Sequence, residues 1–330
     1  MPLTNYPGGQ TSFGIPLFGQ GSVYDMPTGN VWFVCNRTGV VNGDGTSRNA
    51  PFVSIADALA RVVGTNGNQG DVIFVLSGHA ENVTASNVFS GTSSTGPNTG
   101  AQVIQAGVRI IGEGQSTARP TLTFTAAAST IALANQGSTI ENMILLCPQT
   151  GTTTTAAMVT VTAAGCKVLS NRFNLSSSAT ALATTGISTS SAASDCMIAW
   201  NTGDTVTGTP TSWMAPTGTV GANRITIANN NIQALLSATT GGCVDLTANS
   251  GTAPADWNIY GNLFINKTAS STVALKGVAN CTGTVAENYL GLQNGSGGAT
   301  AINTPGNWNM FQNFGGTIGK QGIAITPIST

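Results

Sequence analysis

The fold is decided by the octapeptide CKVLSNRF (Cys166–Phe173) and its echoes: CMIAWNTG (Cys196–Gly203), ITIANNNI (Ile225–Ile232), WNIYGNLF (Trp257–Phe264) and GTVAENYL (Gly283–Leu290). Each holds an asparagine at its sixth place. With one copy before and one after, the series is Asn142, Asn171, Asn201, Asn230, Asn262, Asn288 and Asn313, at separations of 29, 30, 29, 32, 26 and 25 residues. Three residues before each stand Thr139, Val168, Ile198, Ile227, Ile259, Val285 and Met310. Five before stand Gly137, Cys166, Cys196, Ile225, Trp257, Gly283 and Trp308. After most of them comes a further apolar residue: Ile144, Phe173, Ile232, Phe264, Leu290. Alternation at period two is the mark of a strand with one buried face. A recurrence every 25 to 32 residues marks one supersecondary unit stacking on the next.

The units are short runs rich in Val, Ile and Thr, bounded by Gly, Ser, Asn and Thr, and they lack helical periodicity. Such runs are strands between turns. Stacked without helices they make an all-β protein, a parallel β-helix (solenoid) with one N-terminal capping α-helix and an extended N-terminal arm. Parallel strands lie about 4.8 Å apart, so equivalent asparagines would form a ladder. Each amide could donate to one neighbour and accept from the other, satisfying groups that would be costly to bury alone.

Only 7% of residues are charged and the net charge is −1, against about 25% charged in an ordinary soluble domain. So little charge suits a protein that lives in an assembly. No basic run offers nucleic acid a footprint. No apolar run reaches transmembrane length, and the start MPLTNYPGGQ lacks the parts of a signal peptide. The six cysteines have no metal-binding spacing and read as buried small hydrophobes.

Along the chain, residues 1–30 are broken by Gly and Pro and form the arm, whose Tyr6, Phe13, Ile15, Leu17 and Phe18 suit a surface lying on a partner. Residues 31–125 hold entry strands, a capping helix and the first rungs. Within them Ser54 is a candidate N-cap, and Ile55, Ala58, Leu59, Val62 and Val63 make an apolar stripe. The helix would cover the open end of the solenoid, where a core layer would otherwise meet water. Residues 126–314 are the Asn-punctuated rungs, and 315–330 a tail or cap.

In the N-terminal third the order strand, Gly43–Thr46, Pro51–Phe52, capping helix, Gly70–Ile73, Gly78–His79 resembles the entry segment of pectate-lyase-like right-handed β-helices, which implies a right-handed parallel β-helix. More closely, Tyr6–Gly9, Gly29–Val34, Ala50–Phe52, Gly78–Glu81 and Ile110–Gly114 resemble structural proteins of tailed bacteriophages, particularly head-decoration proteins. The resemblance implies a virion component assembled in the bacterial host cytoplasm. It would decorate or cement the capsid and contact the major capsid protein or other virion proteins. A homotrimer is expected on separate grounds, because three solenoids can pack flat small-residue faces about one axis. A tailspike or fibre that binds or cleaves host polysaccharide is the alternative.

Cleavage would need paired carboxylates about 5 Å or 6.5–9.5 Å apart. Glu141 and Glu287 share a turn position on the alignment above but lie five rungs apart, roughly 24 Å. Asp195 and Asp256 come closest, two rungs apart at roughly 10 Å, with Arg224 on the rung between. An adjacent Arg lowers a carboxyl pKa, which suits an ion network better than a general acid. His79 is the lone histidine and reads as a turn residue. Gly112–Gly114 lacks the Lys-Ser/Thr of a phosphate loop. Trp200, Trp213 and Tyr260 are candidate sugar-stacking platforms, whereas Trp257 and Trp308 fall on the inward phase. The expectation is a protein that binds without catalysing and takes no cofactor, metal or small-molecule substrate.

Overall fold

In the computed structural model the chain is a β-solenoid of three parallel sheets. The structure describes residues 11–12, 15–16, 29–63, 70–84, 107–147, 155–217, 221–237, 241–248, 253–268, 274–277, 280–292, 302–303, 306–317 and 323–324. Of the arm residues, Tyr6, Phe13, Leu17 and Phe18 lie outside them. Ile15 opens a two-residue strand, Ile15–Pro16, paired antiparallel with Thr11–Ser12.

Most turns of the chain add one strand to each sheet. The first sheet runs from Val31–Val34 to Gly306–Phe311, and the second from Ala80–Val83 to Phe314–Thr317. The third begins only at Ile131–Leu133 and ends at Ile302–Asn303. Pairing is in register, so Val168 lies between Ile140 and Ile198, and Phe264 between Ile232 and Leu290. The inward residues of successive rungs thereby stack into continuous apolar columns. Each buried Val, Leu, Ile or Phe contributes about 1.5–3 kcal/mol, and the columns make one core along the axis. The repeat runs to Thr317 rather than stopping at 314, because Phe314–Thr317 still pairs in parallel with Tyr289–Leu292. Ile323–Ala324 then turns back antiparallel onto Phe314 and Gly315.

Within the core a large ring occupies space left by two glycines. Trp213, from the third sheet, is fully buried and lies 6.3 Å from Phe173 and 6.0 Å from Phe264, ring centre to ring centre. Gly203 faces it in the second sheet, where a Cβ would meet Ile232 Cδ1 at 2.9 Å. At Gly186 a Cβ would meet the Trp213 carbonyl at 2.7 Å. Trp213 is therefore core and not an exposed platform. Its place in a Gly/Pro-flanked segment hid the inward phase.

The helix spans Ile55–Val63 and packs against the first two strands of the first sheet, with Ile55, Ala58, Leu59 and Val62 fully buried. Ser54 caps it: Asp57 N–H donates to Ser54 Oγ at 3.1 Å, and Ser54 Oγ–H to Asp57 Oδ2 at 2.7 Å. The helix start is tied across to the second sheet, since Ile55 N–H donates to Glu81 Oε2 at 3.0 Å. Covering edge strands of two sheets closes this end of the apolar columns.

One expected rung alignment is off by a residue. Val168 pairs with Ile140, not Thr139, so the ladder place in that unit belongs to Met143. Asn142 takes the preceding corner, with φ 59, the place that Ser170, Trp200, Asn229, Gly261, Glu287 and Gln312 hold in later turns. A left-handed corner favours Asn, which is why an asparagine stands beside the correct slot. Glu141 consequently sits in a strand opposite Leu169, and it shares no position with Glu287.

Candidate functional site

Six of the seven asparagines form one buried column. The Asn171 N–H and Nδ2 both donate to Asn201 Oδ1, at 2.9 and 3.3 Å. The same pair of bonds joins Asn201 to Asn230, Asn230 to Asn262, Asn262 to Asn288 and Asn288 to Asn313. Every Nδ2 also donates to a strand carbonyl, from Ile140 for Asn171 to Val285 for Asn313. Met143 ends the column by donating its backbone N–H to Asn171 Oδ1 at 3.0 Å. Asn142 instead donates Nδ2 to the Gly112 and Gly114 carbonyls. The column is a fastening of the corner between the first and second sheets, closed to solvent.

The ionic groups pair along the axis. Arg224 makes two bonds to Asp195, Nε to Oδ1 at 2.6 Å and Nη2 to Oδ2 at 2.8 Å, and this holds the Asp195 carboxyl below its ordinary pKa. Asp195, Arg224 and Asp256 occupy equivalent left-handed corners. Asp256, however, bonds Thr282, its N–H donating to Oγ1 at 3.0 Å. The expected Asp-Arg-Asp network is one bidentate pair beside a separate carboxylate. Arg109–Glu141, Arg172–Asp204 and Arg48–Glu113 likewise bridge strands or loops of different turns.

His79 is buried at the capped end. Asn36 N–H donates to its Nδ1 at 3.1 Å, so the proton sits on Nε2 and is donated to Glu81 Oε2 at 3.0 Å. Glu81 is the same carboxylate that receives the helix N-terminus. Histidine and glutamate thus fasten the cap, with both ring nitrogens engaged. Asp71 is fully buried and accepts from Asn30 N–H at 2.7 Å and Trp32 Nε1 at 3.1 Å. All six cysteines are free and buried. Burial pushes the Cys243 thiol up, and a hydrogen bond to Cys196 together with burial does the same for Cys166.

Among the described residues, five of the seven exposed large apolar side chains stand at the corner outside the asparagine column, with Val41 and Val206 elsewhere. Trp200 is 50% exposed, Tyr260 38%, Tyr289 43%, Phe311 50% and Phe314 49%. Register places them together: Tyr260, Ala286 and Phe311 are consecutive along the first sheet, and Leu263, Tyr289 and Phe314 along the second. Sequence reasoning found Trp200 and Tyr260 but missed Tyr289, Phe311 and Phe314. Their signal was the outward phase, one residue to either side of an inward position. Trp257 is buried as expected, and Trp308 is partly buried against the core.

Among the described residues no helix is long and apolar enough to cross a membrane, and no three metal-ligating side chains cluster. No protein-family model matches the chain, and no curated protein matches it at a significant level.

Proposed function

We propose that the protein is a non-enzymatic structural component of a tailed-bacteriophage virion, decorating or cementing the capsid through its N-terminal arm and lateral solenoid faces. The observation that carries this reading is the convergence of the family-like segments. Gly29–Val34, Ala50–Phe52, Gly78–Glu81 and Ile110–Gly114 are scattered in sequence but meet at the capped end. Phe52 N–H donates to the Phe33 carbonyl at 2.9 Å, and Val72 N–H to the Asn30 carbonyl at 2.9 Å. Asn36 binds both His79 and the backbone of Ala80, and Arg48 pairs with Glu113. Four of the five segments that carry the resemblance thus fall on one contiguous structure; Tyr6–Gly9 lies outside the described residues. The low charge content supports the same reading, since with 7% of residues charged few charges have to be desolvated against a neighbour.

On this reading the partners are the major capsid protein or other virion proteins. The assembled form is a homotrimer, built in the bacterial host cytoplasm. Deleting residues 2–28 should leave the β-rich circular dichroism unchanged and abolish incorporation into particles. Incorporation of the deleted form at the wild-type level would refute the role of the arm. Polysaccharide cleavage lost in Asp195→Asn or Asp256→Asn would refute the non-enzymatic reading and favour a depolymerase.

A further inference from the structure

We infer that residues 325–330 form a strand that closes the C-terminal end of the solenoid, lying antiparallel along Gly306–Phe311. Residues 325–330 lie outside the described residues, and the inference stands whether or not the protein belongs to a virion.

The first observation is an end that the described residues leave unfinished. Gly306–Phe311 is the last strand of the first sheet, and among those residues it pairs on one side only, with Cys281–Ala286. Its inward residues Trp308 and Met310 are only partly buried against the core. Val285, one turn earlier, and Trp257, two turns earlier, are fully buried. Trp308 Nε1 is a buried donor with no acceptor among the described residues. Asn313 is 1% exposed, and its N–H and second Nδ2 hydrogen likewise lack an acceptor among them. From Asn171 to Asn288 those same donors meet the next asparagine. Buried donors are rarely left unpaired. The opposite end is closed by a helix, and an apolar end with a bare edge strand needs a cover here too.

The second observation is the direction of the chain. Ile323–Ala324 lies antiparallel on the second sheet, with Ile323 opposite Gly315 and Ala324 opposite Phe314. It occupies the place that a further turn would take over that sheet, so a second copy has no room to stack a turn on this end. From Ala324 the chain heads towards Asn313 and then the first sheet. Carried on at the same register, residue 325 stands opposite Asn313, 328 opposite Met310 and 330 opposite Trp308. Six residues extended at about 3.3 Å each span about 20 Å, enough to face every residue from Asn313 back to Trp308.

The third observation is that the sequence fits those places. It reads Ile325, Thr326, Pro327, Ile328, Ser329, Thr330. Opposite residues of antiparallel strands share a face. Ile325 and Ile328 then take the inward phase set by Asn313 and Met310. Pro327 and Ser329 take the outward phase set by exposed Phe311 and Asn309. Two isoleucines thus cover the last core layer, and the carbonyls of a crossing strand supply acceptors for Asn313 and Trp308. Pro327, which has no N–H, suits an outermost strand and blunts its free edge.

The test compares the full chain with a form lacking residues 325–330, by hydrogen exchange and thermal melting. In the full chain the amides of Gly306–Phe311 that point away from Cys281–Ala286 should be protected. The deletion should speed their exchange by at least about tenfold and leave the turn around Val168 unchanged. Ile328→Asp should do the same and lower the melting temperature by at least about 4 °C. Ser329→Asp, on the outward phase, should change neither reading. Two results would overturn the inference outright: exchange at Gly306–Phe311 that the deletion leaves unchanged, or equal effects of Ile328→Asp and Ser329→Asp. Protection that persists without residues 325–330 and fades on dilution would also overturn it, and give the edge to a second copy of the chain.

Discussion

Replacing Asn230 by alanine tests the central fastening of the fold. The side chain makes four hydrogen bonds that the variant loses. It accepts from Asn201 N–H at 2.9 Å and Asn201 Nδ2 at 3.0 Å, and donates to the Ile198 carbonyl at 2.9 Å and Asn262 Oδ1 at 3.0 Å. The backbone bond from Asn230 N–H to Asn262 Oδ1 survives. The Asn201 N–H and one of its two Nδ2 hydrogens are then stranded, while Nδ2 keeps its bond to the Val168 carbonyl. At about 1–3 kcal/mol for each stranded group, the cost is about 4 kcal/mol, or about 8 °C in melting temperature at about 2 °C per kcal/mol for a long chain. Urea denaturation gives the total. Because solenoids can open in parts, hydrogen exchange should also show faster exchange at Asn201 than at distant rungs. Asn142→Gly is the matched control. It removes two bonds from a partly buried corner and relieves a left-handed backbone, so it should stay within about 1 kcal/mol of wild type. Equal effects of the two substitutions, or a loss below about 1 kcal/mol in Asn230→Ala, would refute the account of the column.

Leu59→Asp places an unpaired carboxylate on the buried face of the capping helix and should cost at least about 4 kcal/mol; a thermal melt within about a degree of wild type would deny the helix its capping role. Acid should loosen the surface pairs. Hydrogen bonds from Arg224 and Arg48 hold the Asp195 and Glu113 carboxyls below their ordinary pKa values. Their contribution is complete above those values and is lost as pH falls through the lower, folded ones. The urea midpoint should therefore fall between about pH 6 and about pH 3, and less so in Glu113→Gln than in wild type.

The fold was legible because the interior writes itself into the chain at period two and again at each rung. The helix could be read for a similar reason, since its cap and its apolar stripe are local. The error at Asn142 has an instructive cause. Asparagine suits two adjacent places for different reasons, a corner that wants a left-handed backbone and a slot that wants an amide. Asn229 and Asn230 fill both at once, so composition alone could not tell which place Asn142 held. Trp213 was misplaced because its burial depends on Gly203 and Gly186, residues of other strands that sequence spacing does not link to it. The exposed edge was half visible: Trp200 and Tyr260 could be noticed singly, but the register that joins them to Tyr289 and Phe311 is a property of the stacked turns.

Every amide in the asparagine column points the same way, donating towards the C-terminal end and accepting from the N-terminal side. The column is therefore a vector as well as a seam. A turn laid on the growing C-terminal end finds donors already aimed at it, while a turn offered in reverse would set N–H against N–H. Chain direction is thereby enforced at each step by a group that never leaves the interior. A turn could be removed or duplicated without breaking the sense of the series, provided the cut falls at matching asparagines.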